Sequence, residues 1–392
     1  MSLSKKILLS VALFVFVFVV GGVGGVFFRD RVIPSLLASF PSLSRMDLFQ
    51  NITGNTTIIE RKEQMIVQED DSVDAIVSQP STAVVDIVVS IPTKGTALPT
   101  FQAGSDQTGV LLTNDGIVVT YGSPLPATTP AKDATYKVLL HDGSSHDATL
   151  IAEDRLTNLT FFRIAGNDFP AISLANSDDS SAGKKVVAIA SSYEDYQNRF
   201  SIGVLSDRDK RFNISGKTVA SSEKWEGVFE TDLANPDAYL GGPAVNFRGE
   251  MVGLFGETEL DGKGSYFLIP SNVVRDTLQL AIDGKIPARA TLGAYYLTLT
   301  KGTSASNSGT VFSRDHGALI YSPSGKTGLA ILAGSPADKS GLRYGDIVTT
   351  VDGAEINLDN PLSVAIGKLS RGDKANLTVI RDGKEMTVSV QL

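Results

Sequence analysis

Residues 108–123 read TGVLLTNDGIVVTYGS, two aliphatic, β-branched runs on either side of Asn114-Asp115-Gly116. Asn, Asp and Gly tolerate the left-handed backbone that a tight turn between antiparallel strands requires. The stretch therefore predicts a β-hairpin of two apolar strands.

The same pattern continues on both sides of this hairpin. Short apolar runs separated by turn residues follow one another from Ala83 onward, which predicts a barrel or sandwich of many short strands. These runs cover residues 83–89, 137–140, 159–164, 186–190, 200–205, 228–231 and 244–254. After the strand YFLIP, Ser271 is placed to cap a helix whose apolar residues recur at helical spacing and which closes near Gly284.

Length and composition exclude several classes of protein. With 392 residues, 42% of them hydrophobic and 20% charged, the chain is expected to form two packed domains and a tail. A net charge of −8 argues against a nucleic-acid partner, since such binding depends on clustered Lys and Arg. Three His and no Cys make a structural zinc site improbable, and we expect no metal and no cofactor.

The N-terminal region predicts a membrane anchor over residues 1–31. Residues 7–28, ILLSVALFVFVFVVGGVGGVFF, carry no charge and are long enough to cross a bilayer as a helix. The alternative is a cleaved signal peptide, although no A-x-A site follows. We expect a single-pass protein whose C-terminal domains are extracytoplasmic, periplasmic or extracellular. The basic residues on the two sides of the apolar segment hardly discriminate between the two orientations in the membrane.

Residues 32–80 show no sustained helical or strand period in their apolar residues, and they predict a stalk or linker.

Four blocks in order resemble the HtrA/Deg family of trypsin-like serine proteases. They are 108–123, quoted above, then 141–164 (HDGSSHDATLIAEDRLTNLTFFRI), 230–254 (ETDLANPDAYLGGPAVNFRGEMVGL) and 266–278 (YFLIPSNVVRDTL). The resemblance implies a mainly β protein with a chymotrypsin/trypsin-like double β-barrel over residues 81–285.

The second half resembles an HtrA-type PDZ domain. Residues 335–356, SPADKSGLRYGDIVTTVDGAEI, carry this similarity, which implies an α+β PDZ domain over 290–392. PDZ domains add an extended peptide to a sheet edge and hold its terminal carboxylate on backbone amides. By resemblance, the peptide-binding residues are those of the carboxylate loop, the pairing strand and the opposite helix: Leu292, Gly293, Ala294, Tyr295, Tyr296, Leu297, Leu362 and Ile366. For Leu362 and Ile366, packing in the core is an equally good interpretation.

The three positions that align with the family's catalytic residues carry other side chains. The family's His follows a V-T-x-x sequence, but VTYG at 119–122 leads to Ser123. The Asp follows R-x-T, but RLT at 155–157 leads to Asn158, and the nucleophile position of AYLGGP at 238–243 is Leu240. Serine protease chemistry needs a hydroxyl, an imidazole and a carboxylate together. Ala238 also replaces a Gly, which would disfavour a positive φ and misplace the anion-binding amides.

No other residue is a strong replacement for the triad. His141 and His146 flank a predicted hairpin turn, and His316 lies in a polar stretch, so all three are expected to face solvent. Asp232 lies near the nucleophile block without a His or Lys partner in its sequence context.

The sequence therefore predicts a membrane-anchored pseudoprotease that acts as a non-catalytic scaffold or adaptor for peptides or unfolded protein segments in the cell envelope. Two alternatives remain open. One is an active HtrA-type serine endopeptidase in protein quality control. The other is a structural subunit that assembles with active HtrA proteases. By analogy with the family, a homo-trimer is one expected assembly.

Overall fold

The computed structural model describes Gly21 and residues 69–90, 106–125, 134–191, 198–216, 219–260, 262–302, 314–322 and 329–392. The predicted membrane anchor, Gly21 apart, and most of the predicted stalk lie outside these residues. Within the described ranges, no helix is both long enough and apolar enough to cross a bilayer.

A helix leads into the first strand. Helix α1 spans Glu69–Thr82, at the C-terminal end of the segment predicted as a stalk. Val77 is buried in the core of the first barrel, and Val73 and Ile76 pack against that core. The helix thus belongs to the folded unit, because its apolar face covers the barrel.

The first barrel contains six strands that close on themselves in the order β1-β2-β3-β6-β5-β4. The strands are β1 (Val84–Ser90), β2 (Asp106–Leu111), β3 (Ile117–Tyr121), β4 (Thr135–Leu139), β5 (Ser145–Asp154) and β6 (Leu159–Ile164). The predicted turn at Asn114-Asp115-Gly116 joins β2 to β3, and Gly116 has a φ of +88°. The largest buried side chains here include Phe161 and Phe162.

The second barrel closes in the order β10-β13-β12-β11-β7-β8. In chain order, the elements of this region are β7 (Lys185–Ala190), β8 (Arg199–Asn213), β9 (Ala220–Ser221), β10 (Glu226–Thr231), β11 (Pro243–Val245), β12 (Met251–Leu260), β13 (Lys263–Pro270) and helix α2 (Ser271–Ile282). Ser271 is the first helical residue and Pro270 the N-cap, so the expected capping by Ser271 is wrong. Its hydroxyl instead donates to the Ala175 carbonyl at 2.9 Å.

The C-terminal domain contains a sheet in the order β19-β18-β16-β15-β14-β9, with β17 on β16. Its own elements are β14 (Tyr295–Thr298), β15 (Ala318–Ile320), α3 (Pro336–Lys339), β16 (Ile347–Val351), β17 (Ala354–Glu355), α4 (Leu362–Gly367), β18 (Lys374–Arg381) and β19 (Lys384–Gln391). The edge strand β9 comes from the second-barrel region of the chain. The described residues thus form a mainly β protein of two six-stranded barrels and a PDZ-like sheet, as predicted.

Arg289 connects the first barrel to the C-terminal domain. Its guanidinium lies 3.2 Å from the Asp154 carboxylate at the end of β5, and the two side chains are 16% and 1% exposed. The same guanidinium donates to the Gly367 carbonyl at the end of α4 at 2.7 Å. The Asp154 carboxylate also accepts hydrogen bonds from the Leu156 N–H and the Thr157 hydroxyl, so its buried negative charge has both an ion-pair partner and hydrogen-bond donors.

Candidate functional site

Two of the three positions predicted to align with catalytic residues, Ser123 and Asn158, lie on neighbouring turns of the first barrel, and the third, Leu240, precedes a glycine that packs against this barrel. Gly122, which precedes Ser123, donates its N–H to the Asn158 carbonyl at 2.6 Å. Gly241, which follows Leu240, is so close to the first barrel that an added Cβ would lie 2.2 Å from the Thr108 carbonyl oxygen. The turns of Ser123 and Asn158 are therefore bonded to each other, and the segment after Leu240 is packed against β2 and β3.

Ser123 is exposed and has an acidic partner. Its hydroxyl donates to Glu153 Oε1 at 2.9 Å and accepts from the Leu125 N–H at 3.4 Å. This hydroxyl cannot replace an imidazole as general base, because an alcohol oxygen is a far weaker base than an imidazole nitrogen.

Asn158 adopts a left-handed backbone with φ of +62°, which Asn tolerates better than most residues. Its Oδ1 accepts from Lys224 Nζ at 2.9 Å, and its Nδ2 lies 3.4 Å from the Tyr121 hydroxyl. Burial lowers the pKa of Lys224, although Asp154 opposes that shift. Burial also raises the pKa of Tyr121 well above its usual range. At position 158, a neutral amide in place of a carboxylate thus faces Lys224 and Tyr121.

The N–H groups of Ala238 and Leu240 are hydrogen-bonded within their own turn. A 3₁₀ helix spans Pro236–Tyr239, and within it the Ala238 N–H donates to the Asn235 carbonyl at 3.2 Å. The Leu240 N–H points to the Asp237 carbonyl at 3.4 Å. Ala238 does not take a positive φ; the left-handed residue before this 3₁₀ helix is Asn235, with φ of +51°. Both N–H groups that would receive an oxyanion already have acceptors.

The other candidates lie apart from these turns. His146 Nε2 is 3.2 Å from Ser144 Oγ, and His146 and Asp154 lie near opposite ends of β5, up to about 26 Å apart at about 3.3 Å per residue. His141 is exposed, and His316 Nδ1 pairs with Asp315 at 3.0 Å. Asp232 Oδ1 accepts from the Val204 N–H at 2.7 Å, a contact between neighbouring strands.

The predicted carboxylate loop does hold a carboxylate. The N–H groups of Leu292 and Gly293 donate to Glu223 Oε1 at 3.0 and 2.7 Å, and the Ala294 N–H donates to Ser222 Oγ at 3.0 Å. Gly293 has a φ of +78°, and an added Cβ would lie 2.3 Å from Ser335 Cβ. The loop thus requires glycine there both for its backbone and for its packing.

The remaining predicted groove residues divide between a strand and the core. Tyr295 and Tyr296 lie on β14 opposite Ser221 and Ala220 of β9, and Leu297 pairs with Leu319 of β15. The helix residues have a different place. Leu362 and Ile366 are fully buried in the hydrophobic core of the C-terminal domain, together with Leu292 and Tyr296.

No sequence pattern marks Glu226 as a buried residue, since it lies close to polar and charged residues. It is 3% exposed, and it accepts hydrogen bonds from the hydroxyls of Tyr296 and Thr298, the latter at 2.6 Å. Burial raises the pKa of Glu226 to about 7, and nearby Asp209 adds to this rise. The carboxyl group is therefore a titratable contact between β10 and β14.

The stability of the protein is expected to depend on the protonation of Glu226. The carboxyl pKa is 4.5 unperturbed and about 7 in the folded chain, so the folded state binds a proton more tightly. Its contribution is fully present below pH 4.5 and is lost as the pH rises through 7. From pH 8 to pH 4.5 the free energy of unfolding should rise by on the order of 3 kcal/mol from this group. Urea unfolding over that range measures the change.

Glu226→Gln is the matched variant, since it keeps the shape and cannot titrate. Asp209, whose charge adds to the rise in the Glu226 pKa, remains in the variant. An unchanged pH dependence in Glu226→Gln would show that another group is responsible.

Comparison with known families agrees with this architecture. Residues 107–254 match the trypsin-like peptidase domain, and residues 310–392 match the PDZ domain. A protein of Hahella chejuensis described as a probable periplasmic serine endoprotease DegP-like is 29% identical over 294 residues. A Marinomonas protein with the same description is 30% identical over 295 residues. Each match covers 74% of this chain, and the chain spans only 57% of the length of each relative.

Solved structures of similar fold include the HtrA-type protease AlgW with a tripeptide and with a decapeptide. The TM-scores are 0.59 and 0.58, with sequence identities of 22% and 20%. The matches cover 81% and 82% of this chain and 95% and 97% of the AlgW chains. The chain therefore contains a trypsin-like peptidase domain followed by one PDZ domain, and over this region it is similar to DegP-like endoproteases.

Proposed function

We propose that this chain is a membrane-anchored, non-catalytic HtrA-like protein that binds peptide C-termini or unfolded segments in the cell envelope. The relatives described as periplasmic support the compartment, and the predicted anchor over residues 1–31 supplies the attachment. The proposed domain limits are 32–80 for the stalk, whose last residues form helix α1 on the first barrel, 81–285 for the pseudoprotease domain and 290–392 for the PDZ domain.

The observation that carries the non-catalytic part is the chemistry at the three turns. Amide hydrolysis needs an attacking hydroxyl, a base and a group that orients the base. Here Leu240 has no heteroatom in its side chain, and Ser123 and Asn158 cannot act as base and charged partner. A trypsin-type site without its triad retains only an effect of about 10³ to 10⁴ over water, which depends on the oxyanion hole. The N–H groups of Ala238 and Leu240 are turned toward carbonyls of their own turn, so this remnant is weakened as well.

The binding part is supported by the loop at residues 292–294. Three consecutive N–H groups converge on a carboxylate oxygen and a hydroxyl, which is the chemistry that recognises a terminal carboxylate. The loop directly precedes β14, and the edge of β14 next to the loop already carries the two-residue strand β9 as an added strand. The AlgW structures contain peptides, and this supports the same use of the fold here.

A library of C-terminal peptides tests the binding. The full chain, purified in mild detergent, should enrich peptides with a free terminal carboxylate, and the amidated forms of the same peptides should not bind. Gly293→Val should abolish enrichment, because a side chain there meets Ser335. Gly345→Ala is the matched control, since Gly345 also has a positive φ, of +88°, but has open space around it. No enrichment by a chain that is folded by circular dichroism would refute the proposal.

A further inference from the structure

The edge of the PDZ sheet that peptides use is already paired. Strand β9 lies antiparallel to β14, with Ser221 opposite Tyr295 and Ala220 opposite Tyr296. The side chain of Ala220 belongs to the hydrophobic core of the C-terminal domain, not to that of either barrel. A segment between β8 and β10 thus completes the sheet as an added strand, which is the mode by which PDZ domains take peptides.

The segment also brings its own carboxylate to the loop. The Ser222 N–H donates to the Ala294 carbonyl at 3.0 Å, and this is the last main-chain bond before Glu223. Glu223 Oε1 then accepts from Leu292 N, Gly293 N and the Ser222 hydroxyl, the last at 2.8 Å. A peptide that ended at Ser222 would put its terminal carboxylate on these same amides. The side chain of Glu223 stands in for that terminal group.

We propose that residues 220–223 are a built-in ligand of the PDZ groove, and that an external C-terminus must displace the Glu223 carboxylate to bind. This inference rests on the proposed peptide-binding function. The external ligand is a peptide with a free terminal carboxylate. Its last residue would take the place of Ser222, and the residue two positions earlier must be small, because it would take the place of Ala220 in the core.

The built-in ligand is held at its far end by the first barrel. The Trp225 N–H donates to the Leu156 carbonyl at 2.7 Å, and Lys224 Nζ donates to the Arg155 carbonyl and to Asn158 Oδ1, both at 2.9 Å. Such tethering gives the segment a high effective concentration at the groove. The contact between the built-in ligand and the groove is small, since β9 has only two residues, and water reaches Glu223, which is half-buried. A ligand of ordinary PDZ chemistry can therefore compete.

Variants of Glu223 in the full chain test the proposal. The probe is the labelled hexapeptide Lys-Thr-Val-Ala-Ser-Ser with a free carboxylate, which copies residues 217–222 and has its amidated form as a control. Removing the internal competitor should raise the apparent affinity by at least about tenfold in Glu223→Ala, since affinity scales with the open fraction. Glu223→Gln should fall between Glu223→Ala and the unchanged chain. Glu259→Gln, an exposed acid on β12, should bind like the unchanged chain.

Hydrogen exchange gives a second measurement that needs no ligand. Backbone amides in residues 291–295 should exchange faster in Glu223→Ala than in the unchanged chain, and the probe should protect them again. Equal exchange and equal probe affinity in the two proteins would overturn the built-in ligand. If other C-terminal peptides still bind with equal affinity to both, peptide binding stands and only the inference falls. If no C-terminal peptide binds either folded protein, the proposed function itself fails.

Discussion

The triple variant Ser123→His, Asn158→Asp, Leu240→Ser is expected to remain at least about 10²-fold less active than the quadruple variant that also carries Ala238→Gly. The triple variant restores the three side chains of the triad. The N–H groups of residues 238 and 240 still donate to the carbonyls of Asn235 and Asp237. Without donors that point into the cleft, the oxyanion of the tetrahedral intermediate is not stabilised.

Glycine at position 238 changes this because it allows the peptide to turn outward. Ala pays a steric cost in a left-handed conformation that Gly does not. The rate of acylation by a fluorophosphonate probe measures the difference, and casein hydrolysis provides turnover. The triple variant with Ala234→Gly is the matched control, since Ala234 lies just outside the 3₁₀ helix. Equal rates for the triple and quadruple variants would mean that the amides of this turn do not limit the chemistry.

The second large effect is expected from Gly241→Ala, which should destabilise the protein by about 4 to 5 kcal/mol. Gly241 has a φ of +76°, and its added Cβ would lie 2.2 Å from Thr108 O and 2.5 Å from Thr120 Oγ1. The carbonyl of β2 cannot move without disturbing the first barrel. The strain of the backbone and the clash therefore add.

Gly262→Ala separates these two contributions. Gly262 has nearly the same φ, +74°, but nothing lies within 4 Å of an added Cβ. That variant should lose only about 1 to 2 kcal/mol, the cost of a left-handed Ala. Denaturant unfolding of both variants gives the comparison. Losses of similar size would contradict the steric explanation.

The close packing at Gly241 also explains why the Gly-Gly-Pro motif remains in a chain whose nucleophile position is Leu240. Gly242 is as closely packed as Gly241, since its added Cβ would lie 2.2 Å from the Ile189 carbonyl oxygen. Packing therefore requires both glycines, Gly241 against the first barrel and Gly242 within the second, whatever the chemistry. Their presence does not by itself argue for a protease.

Local patterns carried most of the fold prediction. The Asn114-Asp115-Gly116 turn gave the β2–β3 hairpin, because these residues favour a tight turn. The alternation of short apolar runs and turns predicted the barrels, and Gly284, with φ of +65°, follows the end of α2 as expected. These features depend on a few neighbouring residues, so the sequence shows them directly.

The arrangement of the sites depends on contacts between distant residues, and the sequence could not show it. Ser222 and Glu223 resemble an ordinary polar loop until the fold brings them to residues 292–294, about 70 positions further along the chain. The direction of the Ala238 and Leu240 N–H groups follows from the 3₁₀ helix, which a single Pro in the sequence does not specify. The sequence predicts that Ser271 caps α2, but its hydroxyl donates to the carbonyl of Ala175, almost 100 positions earlier in the chain.

Catalysis by the unchanged protein is the most direct test of the proposal that the barrels do not hydrolyse peptides. The full chain, purified in mild detergent, should show no fluorophosphonate adduct by mass spectrometry and no casein hydrolysis, under conditions in which an active HtrA-type protease shows both. An adduct on a serine of this chain, with turnover that disappears when that serine is changed to alanine, would contradict the proposal.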